Sequence, residues 1–178
     1  SASEGGVTFK EGGTNFTNSL LVGTSSTGTL NAADGNTGVG IGVFGALTTG
    51  DNNVAVGLNA LDVNTTGSEN VAVGMGALDT NTVGAGNISI GCGSMSANVS
   101  GNYNVAIGRC ALDTSVSGSA NVAIGDRALY TNTASYNTSV GFFSLAANTT
   151  GETNVAVGQN SLAANTTGCF NTALGAST

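Results

Sequence analysis

The sequence has no histidine, no proline and no tryptophan, and only three of its 178 residues are basic: Lys10, Arg109 and Arg127. These absences remove whole classes of function. Without histidine there is no imidazole to act as general base, so neither an enzymatic activity nor a cofactor is expected. With a net charge of −7 and no cluster of Lys and Arg, the chain cannot neutralise a run of phosphates, and nucleic acid is not an expected partner. Apolar residues make up 40% of the chain, yet no run of about 18 of them occurs, so no helical membrane span is expected. The opening Ser1-Ala2-Ser3-Glu4 lacks the basic start and apolar centre of a signal peptide.

What is present is glycine, 29 residues of it, and it keeps a register. A marker glycine falls at 23, 40, 57, 74, 91, 108, 125, 141, 158 and 175, with every spacing 17 except the 16 from Gly125 to Gly141. Four residues before most markers stands an asparagine, from Asn36 and Asn53 to Asn171; four after stands a large apolar residue, as at Phe44, Leu61, Leu78 and Met95. A second glycine series, Gly50, Gly67, Gly84, Gly101 and Gly118, resumes at Gly151 and Gly168. Its gap coincides with the short spacing, so the missing residue belongs to a loop. The consensus is Asn-Val-Ala-Val/Ile-Gly-x-x-Ala-Leu-x-x-Asn-Thr-Thr-Gly-x-x.

A short fixed period signals a solenoid. Val71-Ala72-Val73 is β-branched at alternate positions, which fits a strand, while two glycines and an Asn-Thr-Thr-Gly run in each period exclude a helix. The fold class expected is all-β: a parallel β-solenoid of about nine to ten 17-residue coils, stacked about 4.8 Å apart. Side chains of a strand alternate in facing. The larger ones are assigned to the core: Val54, Val71, Ile88, Val105 and Val122 in one column, and Val56, Val73, Ile90, Ile107 and Ile124 in a second. Leu61, Leu78, Met95, Leu112 and Leu129 close the coil from the opposite wall. The column Ala55, Ala72, Ala106 and Ala123 then faces out, where its small size admits either a second chain or close packing within one chain. The asparagines are expected to form a ladder of stacked amides, and the glycines to take positive φ at corners.

Residues 1–18 fall outside the repeat and are expected to cap the first coil or to dock elsewhere, with short strands at Val7–Lys10 and Asn15–Thr17 around Gly12-Gly13; residues 19–178 form the repeat domain. In the first coil Leu20-Leu21-Val22-Gly23 keeps the strand and Ser25 to Gly28 replaces the alanine–leucine corner. After Gly175 no capping segment follows, so the last edge is expected to be open, covered by another chain, or continued by further protein.

Sites for chemistry are few. Asp62, Asp79 and Asp113 share a register position, and the Asp62–Asp79 pair could hold a hard cation such as Ca²⁺ or simply be a solvated edge. Cys92 and Cys110 lie on adjacent coils, one position apart, and are read as a corner disulfide or as small buried thiols; Cys169 has no partner in register. Thr65 and Thr66 raise an ice-binding surface as a lesser alternative, but they are adjacent, and Val99 and Val116 interrupt the column. Asn64, Asn98, Asn148 and Asn165 begin Asn-x-Ser/Thr sequons that could carry sugar on one edge. Tyr103, Tyr130, Tyr136, Phe142 and Phe143 are the candidates for an adhesive patch.

The repeated Asn-Val-Ala-Val/Ile-Gly resembles the head repeats of trimeric autotransporter adhesins. The version with an added Ala-Leu and Asn-Thr-Thr-Gly, clearest in 53–67, 70–84, 104–118, 121–133 and 154–168, is similar to repeats of phage-type tail fibres and other surface fibres. The resemblance covers roughly residues 36–175. It implies a left-handed β-roll, three chains side by side, and presentation outside the cell or on a virion surface. Within the given residues no coiled-coil heptads occur and no membrane anchor is expected. Two functions are expected on these grounds: a non-enzymatic fibre domain that binds a cell surface or host receptor, or the protomer of a self-assembling extracellular filament. In both the first partner is the chain itself, as a homotrimer meeting along Ala55, Ala72, Ala106 and Ala123, or as a filament.

Overall fold

The computed structural model describes residues 9–13, 16–23 and 28–178. Val7, Thr8, Asn15 and the corner at Ser25 lie outside the described residues. One sheet runs the length of the molecule. β1 (Phe9–Gly13) lies antiparallel on β2 (Phe16–Val22), and from β2 onward all pairing is parallel. The two-residue β3 (Ala33–Asp34) and β4 (Thr37–Val39) both follow β2. Then come three-residue strands, one per coil: β5 (Val54–Val56), β6 (Val71–Val73), β7 (Ile88–Ile90), β8 (Val105–Ile107), β9 (Val122–Ile124), β10 (Thr138–Val140), β11 (Val155–Val157) and β12 (Thr172–Leu174). Each strand residue sits beside its equivalent one coil on, Ala55 beside Ala72 and Ala72 beside Ser89. The result is a β-solenoid of about nine turns with a 17-residue period. β1 is the terminal strand of the sheet and pairs with β2 on the side away from the later coils. The register also survives the short spacing: Val122 pairs with Thr138. The loop absorbs the loss, because the Ala134 carbonyl accepts the Asn121 amide just as a second-series glycine carbonyl does in neighbouring coils.

The leucine column is core as expected: Leu61, Leu78, Met95, Leu112 and Leu129 are fully buried. They are placed there by a left-handed backbone, with φ between 51° and 52° at Leu61, Leu78 and Leu129. That conformation costs a bulky residue on the order of 1 kcal/mol or more, and the leucine side chain it turns inward returns about 2 kcal/mol by burial.

The strand faces the other way from the expectation. Ala55, Ala72, Ala106 and Ala123 are fully buried. Val54, Val71, Val73, Val105 and Val122 are half-buried, and Val56, Ile88, Ile90, Ile107 and Ile124 are exposed; these ten side chains line the outside. The reason is volume. Ala55, Ala72, Ala106 and Ala123 each share the thin interior with a second alanine five residues on, as Ala72 does with Ala77, and with the leucine column. Where the second residue is larger, the first shrinks: Val43 is paired with Gly38, at which a Cβ would come within 2.7 Å of Val43 Cγ1 and 2.5 Å of Leu21 Cδ1. Two of these pairs are serines: the Ser89 hydroxyl bonds Ser94 Oγ and donates to the Ser94 carbonyl (2.8 Å), and Ser139 donates to the Ser144 carbonyl (2.7 Å); Ala156 instead stands with Ser161, whose hydroxyl donates to the Ala173 carbonyl one coil on (3.3 Å). From the third strand of the parallel run onward an interior of this width takes nothing on the strand side larger than alanine or serine, and valine and isoleucine go out; in β2 the buried Leu21 reaches into the space that Gly38 leaves.

Two amide ladders bind the coils. In the expected one, backbone N–H and Nδ2 reach the Oδ1 one coil earlier: Asn70 donates from N (2.9 Å) and Nδ2 (3.2 Å) to Asn53. The same Nδ2 donates to the Gly84 carbonyl (2.9 Å). At the short coil Asn137 keeps the N–H bond to Asn121 but turns Nδ2 to Asn132 Oδ1 (3.3 Å) and Gly151 O (2.9 Å). The second ladder is made by the asparagines of the Asn-Thr-Thr-Gly run. Asn81 Nδ2 donates to Asn64 Oδ1 (2.8 Å) and also to Gly84 O (3.0 Å), so that one carbonyl ties both ladders together. This explains the second glycine series. It does not take positive φ as the marker series does; a Cβ on Gly84 would lie 2.5 Å from the Gly101 carbonyl oxygen and 2.4 Å from Asn81 Oδ1. Close approach, and not a left-handed turn, requires glycine there.

Candidate functional site

With the interior filled by methyl groups, leucines and satisfied amides, the chemistry of the molecule lies on its outer columns. The broadest is the strand face. Its two rows of Val and Ile (joined by Thr138, Val140, Val155 and Val157) leave Ile88 and Ile90 each 38% exposed and Ile107 and Ile124 each 36% exposed. A solvated sheet face normally carries Thr, Lys or Glu on such positions; six coils with Val or Ile at both make an apolar strip of the kind that marks an interaction surface. The alanine stripe expected to serve that purpose cannot, because its side chains are inside.

Beside this face runs the column one residue after each marker glycine. Ile41, Leu58, Met75 and Cys92 are exposed there, extending the apolar surface across the earlier coils. It then turns charged: Arg109 bonds Asp126 through Nε (2.9 Å) and Nη2 (3.2 Å). The next column holds Arg127, whose guanidinium carbon lies 5.3 Å from the Phe143 ring centre and 5.9 Å from that of Tyr130. Phe143 in turn packs on Phe142, with ring centres 4.5 Å apart. The candidate adhesive residues therefore fall into two groups. Tyr130, Phe142 and Phe143 are engaged around Arg127. Tyr103 and Tyr136 stand alone on the opposite corner, in one column with Phe170, a residue not singled out from the sequence.

Asp62 and Asp79 are stacked, and the Asp79 carboxyl is pushed above the usual aspartate range, first by burial and then by the Asp62 charge. Asp113 accepts a hydrogen bond from Ser96 Oγ. Among the described residues no group of three or more His, Cys, Asp or Glu side chains comes together to hold a metal ion. The three thiols are free; Cys92 and Cys169 are exposed and Cys110 half-buried, so neither a disulfide nor buried thiols describe them. The Cys110 thiol is raised, chiefly by desolvation and then by the Asp113 carboxylate.

Cys169 reveals a third ladder that the sequence did not suggest. Its sulfur accepts the Glu152 N–H one coil earlier (3.3 Å). Asp51, Ser68, Asn102, Ser119 and Ser135 do the same in their coils. Any short acceptor serves, so no single residue type betrays the column.

The sequons are closed to sugar in the folded chain. Asn64, Asn98 and Asn148 are fully buried, and Nδ2 of Asn98, Asn148 and Asn165 donates both to the preceding asparagine in the ladder and to a glycine carbonyl. The threonines of the same loops bond along the stack too: Thr65 Oγ1 donates to the Thr82 carbonyl (2.9 Å), Thr82 to Val99 (3.2 Å) and Thr149 to Thr166 (2.9 Å). No helix among the described residues is long and apolar enough to cross a membrane. No protein-family model matches the chain, and neither a curated protein nor a solved structure matches it.

Proposed function

We propose that this chain is a non-enzymatic structural unit of an extracellular fibre, a β-solenoid that associates with copies of itself and presents a repetitive surface to a cell or host receptor. The observation that carries the reading is the Val/Ile strand face, interrupted in one of its two columns by Thr138. Two such side chains on each of six coils, with Val39 and Val140 beside them, could bury on the order of 1,000 Å² per chain, the scale of a stable protein–protein contact. The resemblance of the Asn-Val-Ala-Val/Ile-Gly repeat to adhesin heads and tail fibres supports three chains around one axis. Closed threefold symmetry satisfies every copy of the strip at once. The contact then uses Val73, Ile90, Ile107 and their column neighbours, in place of the alanines.

Sedimentation equilibrium tests this. The expected mass is three times the 17.1 kDa of the chain, independent of concentration over the micromolar range. A species that stays at the mass of one chain overturns the reading. A mass that climbs without limit as concentration rises replaces the trimer by the filament protomer, a different assembly built on the same apolar face.

A further inference from the structure

We infer that Tyr103, Tyr136 and Phe170 form a stacking platform for an extended β-1,4-linked polysaccharide. The three rings occupy one column of the solenoid on alternate coils, with Ala120 and Thr153 at the same position in the coils between. They are 70%, 63% and 79% exposed. Their backbone is fixed. All three take the left-handed conformation, with φ of 57°, 63° and 58°. Each backbone N–H is bonded to the coil before: Tyr103 to Ala85 (3.0 Å), Tyr136 to Ser119 (3.1 Å) and Phe170 to Glu152 (3.1 Å). A Cβ placed on Gly86 would come within 2.7 Å of Tyr103 Cδ1, so the tyrosine ring leans over that glycine and uses the space its missing side chain leaves.

Two coil steps separate successive rings by about 10 Å. That is close to the length of one disaccharide along a fully extended β-1,4-linked chain, in which every second sugar presents the same apolar face. One ring then meets one pyranose face, the next ring meets the sugar two further on, and the small residues between leave room for the sugar that is turned away. Exposed, rigid aromatic rings gain from such contacts without ordering flexible side chains. The column one position before the rings includes Asn102 and Ser135, whose acceptors are taken by the ladder along the stack, so recognition rests on the ring faces. Neither column contains a lysine or arginine, which favours a neutral polysaccharide over a sulfated or uronic one. The inference does not depend on the fibre reading, since a single solenoid carries the same row.

Isothermal titration of the full chain with cellohexaose and chitohexaose, both β-1,4-linked, and with α-1,4-linked maltohexaose tests it. At least one β-1,4 oligomer should bind and maltohexaose should not; which one binds identifies the source of the chain. Tyr103→Ala with Tyr136→Ala should weaken binding about tenfold or more, while Phe142→Ala leaves it unchanged. A spacing variant keeps the number of tyrosines: Tyr136→Ala combined with Ala120→Tyr puts the rings on adjacent coils and should lose affinity as the double alanine variant does. Binding of neither β-1,4 oligomer, equal binding of maltohexaose, or full affinity in the spacing variant overturns the inference. So does a change in sedimentation mass of the double alanine variant, which would make the rings part of the contact between chains.

Discussion

At the scale of single residues, the solenoid is held by polar groups that are each used to capacity, and one of them is not. Ser115 occupies the second ladder where its neighbours have Asn98 and Asn132. Its hydroxyl is fully buried, and among the described residues it is the one buried side-chain oxygen or nitrogen without a partner. The carbonyl of Gly118 consequently accepts only the Asn104 amide (2.8 Å), whereas Gly101 and Gly151 each accept two. Ser115→Asn should restore donors to Asn98 Oδ1 and to Gly118, stabilising the chain by about 1 kcal/mol. A thermal melt followed by circular dichroism should show a higher midpoint; a lower one would mean the ladder gap is not a polar defect. The first ladder was legible because Asn36 to Asn171 keep one register. The second was hidden: asparagine before Thr-Thr-Gly reads equally well as a turn former or a sequon, and only the stacked amides distinguish them.

A coil is the natural element here, and its period, strand, corner glycines and leucine wall could all be read from spacing. The facing of the strand could not be read from the alternation, because Val-Ala-Val has the same period of two whichever side is in. The rule that larger apolar side chains go inside fails when the interior is only methyl-deep. Volumes at a separation of five did carry a signal: Gly38 stands with Val43, Ser89 with Ser94 and Ser139 with Ser144, although Ala156 stands with Ser161. Stacking identical coils also stacks like charges, which makes Asp79 sensitive to pH. Its carboxyl is raised in the folded chain by burial and by Asp62, so folding favours its protonated form. The resulting cost is absent below the ordinary aspartate range, grows as pH rises through the raised native value, and persists at neutrality. Asp79→Asn should therefore raise the melting midpoint at about pH 7 and leave it unchanged near pH 3, below the ordinary carboxylate range. An equal shift at both pH values would point to packing and not charge.

For the whole molecule, the inverted facing changes what holds one chain together and what is left for another. With Val73 assigned to the core a charge there should prevent folding, and with the alanines facing out charges on them should dissociate the chains or unfold them; the burial pattern reverses the first and leaves unfolding as the outcome of the second. Glutamate at Ala72 and Ala106 enters a fully buried column, where unpaired charges cost several kcal/mol each. Glutamate at Val73 and Ile107 lies on the outer face, leaves the coil intact, and removes the apolar strip proposed to join the chains. Sedimentation equilibrium with parallel circular dichroism on the two double variants is the most direct measurement. The account predicts that Val73→Glu with Ile107→Glu gives a folded, β-rich single chain of about 17.1 kDa, while Ala72→Glu with Ala106→Glu gives no folded species. A folded alanine variant beside an unfolded valine–isoleucine variant would contradict it.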